Sequence, residues 1–137
     1  MSQRSEGRQR TLFDAEIASS QSGIVQRGWL SASEIDFHAR AVGNAGRIMA
    51  GEHANGVSHG EFHAWLSGDR ALVRVDEHRE WYAREPVRPT GDPVEFCDED
   101  GDRFTRPREA TVSRPRALAA LAHWLSTGRM LPALTWE

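Results

Sequence analysis

Histidines and carboxylates are the side chains here that could do chemistry, and their spacing decides which chemistry is open to them. His53, His59 and His63 cluster around Glu61. A zinc protease places His-Glu-x-x-His on a helix, where four-residue spacing puts both imidazoles on one face. In His59-Gly60-Glu61-Phe62-His63 the glutamate is displaced, and the segment reads as a strand or its approach, where that spacing spans about 13 Å. The same residues reproduce the His-x-Glu half of a zinc-deaminase signature. The Pro-Cys-x-x-Cys half needs two thiolates, and Cys97 is the only cysteine, so the chain is not itself such a deaminase.

Other catalytic arrangements have no starting point. There is no Gly-x-Ser-x-Gly elbow, and Cys97 sits among Glu95, Asp98, Glu99 and Asp100, whose charge disfavours a thiolate. No glycine-rich loop leads into a helix to cradle phosphate. A single cysteine also rules out an intramolecular disulfide or a thiolate-rich metal site, and no cofactor is implied.

Charge is more informative. Asp92, Glu95, Asp98, Glu99, Asp100 and Asp102 follow one another with no basic residue before Arg103. A solvated hairpin tip explains such a run, and so does a surface that steers a basic partner. Trp81, Tyr82 and Trp136 have two readings as well, since such rings fill cores and also anchor interfaces; Trp136 is assigned to the core. The candidate partner-binding residues are therefore Asp76, Glu77, Trp81, Tyr82, Glu95, Asp98, Glu99, Asp100, Asp102 and Glu137.

Several elements must position these groups. Residues 1 to 10 are polar after Met1 and read as a flexible tail, leaving residues 11 to 137 as one domain. Thr11 to Leu30 is ambiguous, with a short element on each side of a Ser/Gly break. Ser31 or Ser33 caps a helix reaching about Val42. Gly43 to Gly60 holds five glycines and reads as loop, with at most a brief strand at Ile48 to Ala50.

Glu61 to Ser67 and Arg70 to Asp76 then form a hairpin through Gly68-Asp69, with Phe62, Ala64, Leu66, Ala71, Val73 and Val75 on one face. Glu80 to Ala83 is extended, and a second hairpin joins Val94 to Cys97 with Arg103 to Arg106. Ser113 caps a second helix, with Pro115 in its first turn, an apolar stripe of Leu118, Leu121, Ala122 and Leu125, and Gly128 at its end. A last strand spans Ala133 to Trp136. The order is α+β: an antiparallel meander of hairpins packed with about two helices.

Composition sets the outer bounds. The 17 basic residues are all arginine and the formal net charge is -3, which argues against non-specific nucleic-acid binding. The arginine bias fits a GC-rich bacterial genome. The polar N-terminal segment carries no apolar core of a leader, so a cytosolic protein is expected.

The segment Gly68 to Val75, then Trp81-Tyr82, then Val112 through the second helix into Thr127-Gly128-Arg129 and Pro132-Ala133-Leu134-Thr135-Trp136-Glu137 resembles the type 1 immunity proteins of bacterial polymorphic toxin systems. The resemblance covers about residues 61 to 137; Met130-Leu131 lengthens the turn after Arg129, and residues 1 to 60 match only in helix placement. It implies a non-enzymatic inhibitor that binds and occludes a toxin encoded by a neighbouring gene, frequently of the deaminase superfamily, with no direct contact to nucleic acid or membrane. Two other readings remain open: a metal-dependent or acid/base enzyme using His53, His59, Glu61 and His63, and an interaction module with no toxin partner.

Overall fold

The computed structural model describes residues 11–20, 23, 25–54 and 56–137. The expected tail at residues 1 to 10 lies outside them. Strands β1 (Leu12–Ser19) and β2 (Val25–Ser31) form a hairpin that leads into helix α1 (Ala32–Arg40). Two long strands follow, β3 (Ala45–Ala54) and β4 (Val57–Ser67), then β5 (Arg70–Glu77) and β6 (Arg79–Arg84). The hairpin of β7 (Val94–Cys97) and β8 (Arg103–Arg106), a short 3-10 turn, β9 (Val112–Ser113), helix α2 (Arg114–Thr127) and β10 (Thr135–Trp136) complete an α+β chain.

The main sheet is antiparallel, in the order β10-β6-β5-β4-β3-β1-β2, with β9 pairing β5 beside β6. Side chains alternate across it, so each strand contributes to two different environments. Phe13, Ala15, Ile17, Ile48, Ala50, Phe62, Ala64, Leu66, Val73 and Val75 face the two helices and are buried with Ile35, Ala39, Leu121, Trp124 and Leu125. Trp124 centres this layer, its ring 5.7 Å from Phe13 and 6.0 Å from Phe62. Alanines on both sides, among them Ala39, Ala117 and Ala120 on the helices, let backbone approach backbone around that ring.

Local signals account for the helix ends and the central turn. Ser31 caps α1 in a full capping box: its hydroxyl accepts from the Glu34 amide while the Glu34 carboxylate accepts from the Ser31 amide. Those bonds hold the Glu34 carboxyl below its ordinary range. Ser113 accepts from the Arg116 amide at the start of α2, and Gly128 ends it in the left-handed region at φ 74°. The two-residue turn Gly68-Asp69 sets Ser67 opposite Arg70, so the register expected for β4 and β5 is the one observed.

The elements expected on each side of the Ser/Gly break after Thr11 are β1 and β2, paired as a hairpin before the first helix; residues 21, 22 and 24 of the break lie outside the described residues. Three other expectations need correction. The stretch from Gly43 to Gly60 is mostly strand rather than loop. Two of its glycines mark crowding: a Cβ at Gly46 would overlap the Ala18 carbonyl and come within 2.5 Å of Val42 Cγ1, and one at Gly51 would lie 2.7 Å from His53 Nε2.

The buried stripe of α2 is rotated to Ala117, Ala120, Leu121, Trp124 and Leu125, which leaves Leu118 and Ala122 half-buried, because the large Trp124 ring takes the central position. Finally, only Thr135 and Trp136 of the expected last strand pair with β6. Trp136 is half-buried at the margin of the core, with its Nε1 donating to Leu131 O at 3.0 Å.

Candidate functional site

The other face of the sheet is divided. Over its middle lies the β7–β8 hairpin, which buries Val94 and Phe96 against Trp65 and Leu72, with Tyr82 and Phe104 at the margin of this second, smaller core. Its tip is a compact acidic turn: Asp98 Oδ1 accepts from both the Asp100 and Asp102 amides at 2.9 Å. Asp98 is therefore occupied in shaping the turn, while Glu99, Asp100 and Asp102 point to solvent. Asp98 and Glu99 overhang the sheet, lining a recess with Glu16, Arg27 and Arg47 on one side and another with Trp65, Arg74 and Tyr82 on the other.

The rest of this face is open and strongly polar. His63 Nε2 lies 3.1 Å from Glu61 Oε1 and 3.4 Å from Asp76 Oδ2, and its ring stacks on Trp65. Arg74 reaches Asp76 at 2.9 Å and Glu80 at 3.3 Å. Burial works against the charge of Arg74, but the Tyr82 hydroxyl, Asp76 and Glu80 outweigh it and raise its pKa further. Glu61, His63 and Asp76 bring their ligand atoms within 4.8 Å of one another, as do Asp98, Asp100 and Asp102 at the hairpin tip, so these are the two groups among the described residues that could hold a metal ion. The enzyme reading had grouped His53 and His59 with Glu61 and His63. In the fold His59 is exposed, and His53 leans over Gly51 toward Trp29 instead, the two rings meeting edge to face at 6.4 Å.

The polar clusters elsewhere have structural work. Glu85 is buried between Arg70 and Arg116, and Arg70 also donates to Thr111. Arg114 donates to the carbonyls of Val42, Gly43, Asn44 and Gly68, tying the start of α2 to the loop after α1 and to the β4–β5 turn.

The sequence matches the family model described as "Immunity protein Imm1" over residues 6–137. The chain belongs to the Imm1 immunity protein family. The match takes in β1 to β3 and α1, which the motif resemblance did not reach. Comparison with curated proteins gives no match. As an Imm1 immunity protein the chain has a toxin as its partner and inhibits it. No helix among the described residues is long and apolar enough to cross a membrane.

On this Imm1 protein the candidate contact residues other than Trp81 fall in three places. Glu95, Asp98, Glu99, Asp100 and Asp102 belong to the β7–β8 hairpin, where Glu95 pairs with Arg103. Asp76 and Glu77 lie at the tight β5–β6 turn, whose His78 adopts φ 63°. Tyr82 and Glu137 exchange backbone hydrogen bonds at the far edge, with the Glu137 carboxylate held by Arg88 and Arg84.

Trp81 stands apart. It pairs with Val75, a helix-side position, so it faces away from the hairpin, beneath the Arg79 guanidinium 3.8 Å from its ring. Asp14 and Trp29, outside the contact set expected from the sequence, also lie exposed on the open face. The signal for Asp14 was the alternation of Phe13, Ala15 and Ile17 with Asp14 and Glu16, which already marks one strand face as polar.

Proposed function

We propose that this immunity protein acts in the cytosol as part of a polymorphic toxin system, and that it protects by occluding its toxin's active site without catalysis of its own. The toxin is a basic, nucleic-acid-processing protein, a deaminase being the class the family resemblance implies, and its gene neighbours this one. The observation that carries the reading is the acidic hairpin tip held over a polar sheet face in a member of a toxin-inhibiting family. Clustered carboxylates raise the encounter rate with a basic partner, and an overhanging tip offers concave contact beside them. The contact residues proposed are Glu99, Asp100 and Asp102 at the tip, with Asp98 and Glu95 supporting them, and Asp76, Glu77, Trp81, Tyr82 and Glu137 outside the hairpin.

Co-expression with the neighbouring toxin tests this reading, with restored growth as the expected result. Continued growth arrest with both proteins present would overturn it. Sequencing nucleic acid from cells that express the toxin alone tests the finer point. Accumulated base transitions are expected for a deaminase, and their absence would assign the toxin to another chemistry while leaving the immunity role intact.

A second reading, a metal-dependent enzyme, draws on the mutual approach of Glu61, His63 and Asp76. His63 already bridges Glu61 and Asp76, and the Arg74 guanidinium beside Asp76 opposes a second cation there.

A further inference from the structure

One row of the open face, away from the overhanging tip, runs across six strands. Trp29 of β2 pairs with Asp14 of β1, Asp14 with Gly51 of β3, Gly51 with Glu61 of β4, Glu61 with Asp76 of β5, and Asp76 with Glu80 of β6. Directly opposed residues on adjacent strands project to the same side of a sheet. This row therefore presents a tryptophan and four carboxylates together and contributes no cation of its own.

The arginines nearby divide between the two ends of the row. Arg27 and Arg47 hold Glu16, outside the row, at 3.0 and 2.7 Å, whereas Arg74 neutralises the far end by pairing with Asp76 and Glu80. Asp14 is exposed and has no ion-pair partner among the described residues, and Glu61 meets only His63. Trp29 is 57% exposed, a large apolar ring beside the exposed Asp14 carboxylate. His53 closes the gap, since Gly51 has no side chain and the imidazole occupies the space above it. The result is a polar floor between Asp14 and Glu61, which lie about 10 Å apart across two strand spacings, with an aromatic wall at one end.

We infer that this row is the anchoring part of the toxin contact and that it seats a cationic side chain, an arginine or lysine from a basic segment of the toxin, between Asp14 and the Trp29 ring. The inference rests on the immunity reading and names the partner chemistry at a place distinct from the hairpin tip. An aromatic face together with an exposed carboxylate satisfies a guanidinium in both of its modes, stacking and charge-assisted hydrogen bonding. Glu61, across His53, offers a second carboxylate to the same basic segment. The hairpin tip steers the encounter, and the Trp29 row retains the partner once it has docked.

The test measures binding of the purified full-length protein to the toxin domain encoded beside it, by calorimetry, for wild type, Trp29→Ala, Asp14→Arg and Phe37→Ala. Phe37 is a 70% exposed ring on the opposite, helical side of the molecule and serves as the control. Trp29→Ala is expected to weaken binding by about tenfold or more, as loss of an anchoring tryptophan does. Asp14→Arg is expected to weaken it at least as much, and Phe37→Ala to bind as wild type. Circular dichroism and melting curves should match wild type for all three, because each side chain is exposed.

Wild-type affinity in both Trp29→Ala and Asp14→Arg, from a protein that still protects cells, would overturn this inference and leave the immunity reading standing. Weakening by Phe37→Ala alone would move the anchor to α1 and overturn it too. A wild-type protein that neither binds the toxin nor protects would overturn both readings together.

Discussion

The two faces of the main sheet are built from alternate residues of the same strands and have opposite characters. On the helix side Phe13, Ile17, Ile48, Phe62 and Val75 are sealed beneath α1 and α2 around Trp124. On the other side Glu16 with Arg47 and Arg74 with Asp76 form ion pairs in partial contact with solvent, His63 lies against Glu61 and Asp76, and only the middle of the face is roofed by β7 and β8. One face can carry the stability and the other can be spent on a partner, because a period of two lets substitutions on one leave the other untouched. The division predicts that changes on the helix side are read in unfolding, and changes on the open side mainly in binding.

The largest effect on stability is expected at the centre of the closed face. Trp124→Ala should destabilise the protein by about 3 to 5 kcal/mol, the range for aromatic truncation in a packed core. Denaturant unfolding measures it, and a loss below about 1 kcal/mol would break the contrast between the faces. Trp136→Ala should cost less, about 1 to 3 kcal/mol, because that ring only half-enters the core and loses a single hydrogen bond to Leu131. Equal melting shifts for the two variants would place Trp136 in the core after all.

On the open face His63→Ala should cost about 1 kcal/mol, through the lost contacts to Glu61 and Asp76. His59→Ala should fall within about 0.5 kcal/mol of wild type, as exposed substitutions do. Elemental analysis of purified protein is expected to find no stoichiometric transition metal. One tightly held zinc per chain, lost in His63→Ala, would instead favour the metal-enzyme reading.

The smallest stability change belongs to the hairpin tip. Replacing Glu99, Asp100 and Asp102 together by Lys should leave the melting temperature nearly unaltered, since all three are exposed and Asp98 still shapes the turn. Their contribution is to encounter: exposed ion pairs are worth about 0 to 1 kcal/mol each, so the signature is slower and more salt-sensitive association with the toxin. Association rates identical to wild type at low and high salt would remove the tip from the mechanism.

The sequence by itself determined whatever depends on a few contiguous residues. The caps at Ser31 and Ser113, the Gly128 stop, the Gly68-Asp69 turn, the alternation through Phe62 to Leu66 and the hairpin around Asp98 to Gly101 were all legible, because each is a local bond or a local backbone preference. Other features depended on neighbours distant in the chain. Gly46 and Gly51 read as loop until Ala18, Val42 and His53 are seen pressing on them; a glycine in a crowded strand and a glycine in a turn are the same letter. The roofing of Trp65 and Leu72 by β7 and β8 likewise has no local signature. Only sheet pairing, a non-local choice, set Trp29, Asp14, Glu61 and Asp76 in one row, joining four strands whose side chains share a surface because their registers align.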